Sequence, residues 1–102
     1  MRRIITFFTL FVLLAGTVAA QKRCRVFGIV KDDQGAPIEL AAVRVLGTAN
    51  AVTTNLSGQY SIYIGANDSV TLQYSMIGYE SRKRTVDHPQ TDSLRIDVML
   101  PV

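Results

Sequence analysis

Apolar and polar residues alternate along most of residues 25–100, with the period of two that marks a half-buried strand rather than the 3.6 of a helix. Seven stretches carry the pattern, each bounded by residues that reverse a backbone. The first, 25–32, has Val26, Gly28 and Val30 on one face and Phe27 and Ile29 on the other, so both faces are apolar. The second, 40–46, sets Ala41, Val43 and Val45 against Ala42 and Arg44, with Arg44 toward solvent. A short third stretch, 51–54, precedes the turn Asn55-Leu56-Ser57-Gly58. In 59–64, Tyr60, Ile62 and Ile64 share a face opposite Ser61 and Tyr63; in 69–75, Val70, Leu72 and Tyr74 share one opposite Thr71, Gln73 and Ser75. The sixth stretch, 80–86, is polar on both sides, as edge strands often are. The seventh, 93–100, directs Leu94, Ile96, Val98 and Leu100 inward and Arg95 and Asp97 outward.

No window shows helical amphipathicity. Several short strands with one apolar face each must bury those faces against one another, and the pattern therefore predicts a two-sheet antiparallel sandwich. Tyr60 and Tyr74 fall on apolar faces and are expected in its core. Tyr63 points the other way. Asp32-Asp33-Gln34-Gly35 reads as a solvated turn, with Pro37 keeping the chain extended behind it. Gly58 occupies a turn position where a positive φ costs glycine nothing.

Residues 1–20 do not share the alternation. Arg2 and Arg3 precede an apolar run through Ala15, and Val18-Ala19-Ala20 supplies small residues before Gln21, which is the anatomy of a secretory signal peptide. The apolar run is short against the ~20 residues that span a bilayer. The expected organisation is a helical signal peptide at 1–20 and one exported domain at 21–102, with no transmembrane span in the mature chain. Removing the leader changes the charge. The whole chain carries 11 Lys+Arg and 8 Asp+Glu; without Arg2 and Arg3 the balance is nine against eight, or +1. The remaining basic excess sits near the new N-terminus, at Lys22, Arg23 and Arg25. A nucleic-acid partner, which requires a concentrated basic face, is not expected.

Chemistry is sparse. Cys24 is the only cysteine, so no disulfide forms within the chain. Gln21-Lys22-Arg23 before it lack the small apolar residues of a lipidation signal, and a free or partly buried thiol near a frayed N-terminus is expected. His88, the sole histidine, stands beside Pro89 in a polar loop. With one His, one Cys and no paired metal-ligand spacing, no metal, cofactor or catalytic constellation is expected, and the domain reads as non-enzymatic.

Four segments in order resemble one family. Gly28-Ile29-Val30-Lys31-Asp32-Asp33-Gln34-Gly35-Ala36-Pro37-Ile38 is similar to the opening "G-x-V-x-D-x-x-G-x-P-L" of carboxypeptidase regulatory-like domains. Ala41-Ala42-Val43-Arg44-Val45-Leu46-Gly47-Thr48 resembles "A-x-V-x-V-x-G-T", and 53–62 resembles "T-x-D-x-x-G-x-F-S-L". Leu72-Gln73-Tyr74-Ser75-Met76-Ile77-Gly78-Tyr79 resembles "L-x-F-S-x-I-G-Y". The resemblance covers essentially all of 21–102. It implies a seven-stranded Greek-key sandwich of the transthyretin (prealbumin) type, with Gly28, Gly35, Pro37, Gly47, Gly58, Gly78 and Tyr79 as structural positions. Tyr79 is expected to place its ring in the core and its hydroxyl on backbone. Asn55 stands where the family usually has Asp, so any cation that such acids hold in relatives is not expected here.

Domains of this kind are common as the N-terminal extension of SusC/RagA-type TonB-dependent outer-membrane receptors of Bacteroidota. The implied setting is the periplasm, in association with the outer membrane, with protein partners from an uptake system. Eighty-two residues are too few for a plugged barrel of about 22 strands, so a receptor fragment or a free-standing module is expected. The alternative is a free-standing secreted module that binds glycan or protein through outward Phe27, Ile29, Arg44 and Tyr63. A third reading, the accessory domain of a metallocarboxypeptidase, would place a catalytic domain where the leader stands.

Overall fold

The computed structural model describes residues 22–102; the expected leader at 1–20 lies outside them. Eight strands follow in order: β1 (Arg23–Asp32), β2 (Ala42–Val45), β3 (Ala51–Thr53), β4 (Gln59–Gly65), β5 (Ser69–Ser75), β6 (Arg82–Asp87), β7 (Ser93–Arg95) and β8 (Val98–Leu100). They form two four-stranded sheets. In the first, β1 lies between β4 on one side and β7 and β8 on the other; the second has the order β3-β2-β5-β6. Among the described residues no helix is long and apolar enough to cross a membrane.

The alternation explains the layers. Cys24, Val26 and Val30 of β1 and Tyr60, Ile62 and Ile64 of β4 face inward, and meet Val43 and Val45 of β2 and Leu72 and Tyr74 of β5 in one buried cluster. Fully burying a residue such as Val26 or Leu72 contributes about 1.5–3 kcal/mol. The polar sixth stretch becomes β6, an edge strand paired only with β5. Arg82 and Arg84 lie opposite the buried Tyr74 and Leu72, so this edge carries charge on its inward side, which discourages another strand from pairing there.

Four details depart from the sequence expectation. The last strand pairs parallel to β1, not antiparallel. It is also divided, giving eight strands instead of seven. Arg25 faces Ser93 and Val30 faces Val98, so the register is the same on both sides of the gap, and only the Gly28–Ile96 and Ile29–Asp97 pairs are missing. Gly28 explains the gap. With no side chain there, the Ile96 carbonyl drops into the space that a Cβ would occupy. The Ile29 amide then bonds the Asp97 carboxylate at 2.9 Å in place of a strand partner.

The third departure concerns Cys24. It is wholly buried on β1, opposite Ile64, and so belongs to the core and not to a frayed terminus.

The displaced carbonyl does not go unpaired. The Tyr60 hydroxyl donates to Ile96 O at 2.6 Å, and the Tyr74 hydroxyl lies 2.8 Å from that of Tyr60. Since Tyr60 has one proton and gives it to the carbonyl, Tyr74 is the donor to Tyr60. The two rings meet edge to face, with centroids 5.5 Å apart. Burial pushes both phenols above the ordinary tyrosine range. The hydroxyl-to-backbone bond expected of Tyr79 is thus made by Tyr60, and Tyr79 contributes a half-buried ring beside the core.

Turn chemistry closes one end of the sandwich. Asp32 Oδ1 accepts the amides of Gln34 and Ala36, and Asn55 Oδ1 accepts those of Ser57 and Gln59. The two side chains act as turn caps. Thr54, the only buried polar residue among those described, accepts the Ala41 amide and donates to the Ile38 carbonyl. It fixes the crossing from β1 to β2. Gly58 sits at φ 73° against the Val30 carbonyl, where a Cβ would lie 2.6 Å from that oxygen. Gly35, Gly47 and Gly78 also take positive φ, in open turns.

Candidate interaction face

The two outer faces of the sandwich differ in chemistry. On the second sheet, Arg44, Gln73 and Lys83 form one row and Thr71 and Thr85 another, with no aromatic ring among them. On the first sheet, the outward residues of β1 are Arg23, Arg25, Phe27, Ile29 and Lys31. Across from them stand Tyr63 and Ser61 of β4 and Arg95 of β7. The resulting rows read Tyr63–Arg25–Ser93 and Ser61–Phe27–Arg95.

Each ring on this face carries a cation. The Arg23 guanidinium lies 4.7 Å from the Tyr63 ring centre, and that of Arg25 lies 4.7 Å from the Phe27 ring centre. Such stacking contributes about 0.5–1 kcal/mol at exposed sites. Arg25 Nε also donates to Ser61 Oγ at 2.9 Å. Arg95 Nε reaches Asp97 Oδ2 at 3.1 Å, an exposed ion pair. An open groove of about 580 Å³ runs over this region, lined by Arg25, Phe27, Ile29, Gln59, Ser61 and Arg95 among others.

The residues singled out from the sequence are therefore divided. Phe27 and Ile29 are half-buried and Tyr63 is exposed, all on the first sheet's outer face; Arg44 is exposed on the opposite face. No single surface holds all four. Arg23, Arg25 and Arg95 replace Arg44 as neighbours of the rings. The sequence held one signal for this: arginine alternates with the inward residues at 23 and 25, in phase with Phe27. That Arg95 joins them depends on the parallel pairing of β7 with β1, which local pattern does not encode. The cations consequently concentrate more than the overall +1 balance indicated.

Elsewhere the chemistry is plain. His88 is exposed and 2.5 Å from Asp87 Oδ1. Among the described residues, no three of His, Cys, Asp and Glu gather in a group able to hold a metal ion. Asp32 and Asn55, the polar residues that open the two turns, each use one side-chain oxygen on two backbone amides.

The sequence model of the family described as "CarboxypepD_reg-like domain" matches residues 26–101. Comparison with curated proteins finds no match. Among solved structures, a chain of a type II cohesin–X-dockerin complex from Acetivibrio cellulolyticus superposes with TM-score 0.62 at 19% identity, covering 76% of this chain and 56% of that one. Catechol 1,2-dioxygenase from Acinetobacter sp. ADP1 gives 0.61 at 11% identity, covering 84% and 54%. 3-Chlorocatechol 1,2-dioxygenase from Rhodococcus opacus 1CP gives 0.54 at 11%, covering 70% and 45%. The chain spans about half the length of these structures. Likeness at such identities shows the shared β-sandwich alone.

Proposed function

The chain belongs to the CarboxypepD_reg-like domain family, and from that premise we propose that it is a non-catalytic protein-interaction module of the cell envelope, equivalent to the N-terminal extension of a TonB-dependent outer-membrane receptor. The family match over 26–101 carries the reading, because it takes in all but the first residues of the sandwich. The four ordered segments resemble carboxypeptidase regulatory-like domains, which are common as the N-terminal extension of SusC/RagA-type receptors, and this supports the receptor setting. The apolar leader pattern at 1–20 supports export to the periplasm. Arginine and aromatic residues are what interface centres are enriched in, and the first sheet's outer face presents both.

The experiment is to determine the DNA that follows the reading frame. A continuation into plug-like and barrel-like sequence is the expected result. An unrelated neighbouring gene removes the receptor assignment.

A second reading is a free-standing secreted module that binds glycan or protein. The open groove beside Phe27 and Ser61 favours it. Under this reading Phe27→Ser with Tyr63→Ala weakens whatever binding a glycan array or pull-down detects, and unchanged binding removes it.

A further inference from the structure

We propose that the outer face of the β4–β1–β7 sheet is the contact surface of this module, and that its occupant is an extended acidic polypeptide segment with carboxylates on alternate residues. The inference rests on the interaction reading above and names the partner's chemistry.

Charge is the first argument. The outward positions of the face hold Arg23, Arg25, Lys31 and Arg95 against one acid, Asp97. Residues 21–102 together carry only +1, so the centre of this face is more basic than the chain as a whole, while Asp33 lines one hollow with Lys31 and Asp68 another with Arg23 at its ends. Asp97 is also committed, accepting from the Ile29 amide and from Arg95. The face therefore attracts an anionic partner and repels a basic one.

The second argument is the form of the cations. Arg23 and Arg25 are held over the rings of Tyr63 and Phe27, and Arg25 is further fixed through its Nε to Ser61. The terminal Nη pair of Arg25 makes none of these bonds. A guanidinium held this way offers a planar fork that matches a carboxylate with two parallel hydrogen bonds. Pinning it on a ring before binding also reduces the ordering cost of association. Phe27, between Arg25 and Ile29 along the strand, adds an apolar contact in the middle of the patch.

Spacing is the third argument. Arg23 and Arg25 are two residues apart on one strand, so their side chains leave the sheet about 7 Å apart at ~3.3 Å per residue. An extended peptide laid along β1 presents alternate side chains at the same repeat. Carboxylates at positions i and i+2 meet Arg25 and Arg23 together, and the same-face residue at i−2 reaches Phe27 and Arg95. The second sheet, with Arg44 and Lys83 in a single row and no rings, offers no such register.

The test uses the intact chain and a fluorescein-labelled short peptide of alternating Asp and Ser, with anisotropy read at low and at physiological salt. Labelled oligogalacturonate and oligothymidylate serve as the other two anions. The peptide is expected to bind, with Arg23→Gln/Arg25→Gln weakening it about tenfold or more. Arg44→Gln/Lys83→Gln, which removes the same charge from the opposite face, is expected to change affinity less than about twofold. Arg23→Lys/Arg25→Lys keeps the charge, loses the fork, and falls between. Arg95→Gln alone gives a further loss should the double variant fold poorly, which the melting curve reveals. The proposal is overturned if the peptide does not bind, if both double Gln variants weaken it equally, or if either of the other anions binds about tenfold more tightly. A receptor frame downstream with no peptide binding leaves the receptor reading standing and removes this face as its contact. Peptide binding as described with an unrelated downstream frame does the reverse.

Discussion

Replacing Gly28 with alanine probes the gap in the last strand. An ideal Cβ at this position overlaps the Ile96 carbonyl oxygen and comes within 2.7 Å of the Ile96 carbonyl carbon and 2.8 Å of Asp97 Oδ1. Two of those three atoms are backbone, so the 95–98 segment must move outward as a unit. Overpacking of this kind costs about 1–3 kcal/mol. The shift also stretches the Tyr60–Ile96 and Ile29–Asp97 hydrogen bonds, each with a net contribution of about 0.5–1.5 kcal/mol. Against this, alanine restricts the unfolded chain and returns about 0.4–1 kcal/mol. The expected net loss is about 2–4 kcal/mol, a large part of the ~4–12 kcal/mol typical of a domain this size.

Urea denaturation followed by circular dichroism measures it. With a slope of ~1 kcal/mol per molar for so small a domain, the midpoint falls by roughly 2–4 M. A second arm separates mechanism from general strain. If alanine acts by driving the carbonyl off the Tyr60 hydroxyl, Tyr60→Phe costs less in the Gly28→Ala background than alone, with a coupling of at least about 0.5 kcal/mol. An unchanged midpoint refutes the account of the gap, and full additivity refutes the role assigned to Tyr60.

Gly58→Val meets both a positive φ and the Val30 carbonyl 2.6 Å from its Cβ, and is expected to cost more than ~1 kcal/mol. Gly35→Ala, at φ 84° with open space around it, is expected to cost less in the same urea denaturation, and equal losses would contradict the close contact at Gly58. The buried phenols make stability depend on alkaline pH. Both Tyr60 and Tyr74 are raised above the ordinary value of 10.0 by burial first. Their contribution is therefore fully present below pH about 10 and is lost as pH rises beyond it, where the unfolded chain ionises and the folded one resists. Tyr60→Phe/Tyr74→Phe flattens that alkaline limb in pH-dependent melts; an identical limb would show that these phenols do not set it. Cys24, with no exposed surface, reacts with a thiol reagent only through opening of the fold. Its native rate should be at least about a hundredfold below the rate in denaturant, and equal rates would take it out of the core.

Much of this fold was legible because its strands alternate strictly. The inward sets at 60, 62 and 64 and at 70, 72 and 74 lie where their period places them. The turns at Asp32 and Asn55 use the side-chain caps that their residue types imply. What stayed hidden is non-local. That 93–100 runs parallel to β1 follows from the path of the whole chain, and its division follows from a missing Cβ at Gly28 that matters only once Ile96 is beside it. Cys24 stands only four residues past the expected cleavage site, and its burial follows from the pairing of β1 with β4 at Ile64.

The candidate face was half legible. Phe27, Ile29 and Tyr63 fall together, since β1 and β4 are an antiparallel pair with matching phase. Arg44 shares their outward direction, but outward on β2 is the other side of the molecule. Arg23 and Arg95 gained meaning only when the register placed one over Tyr63 and the other across from Phe27. Thr54 gave no sequence signal that separated it from Thr53, because its burial depends on the Ile38 carbonyl and Ala41 amide arriving from another strand crossing.

Protein contact through one outer face of this domain and not the other is the property to measure. A photo-cross-linking side chain placed at Tyr63, in the intact chain produced in its own cells, tests this most directly when compared with the same side chain at Gln73 on the opposite face. A discrete protein adduct is expected from position 63 that disappears with Arg23→Gln/Arg25→Gln, and none from position 73. Identical adducts from both positions, or none from position 63, would contradict it.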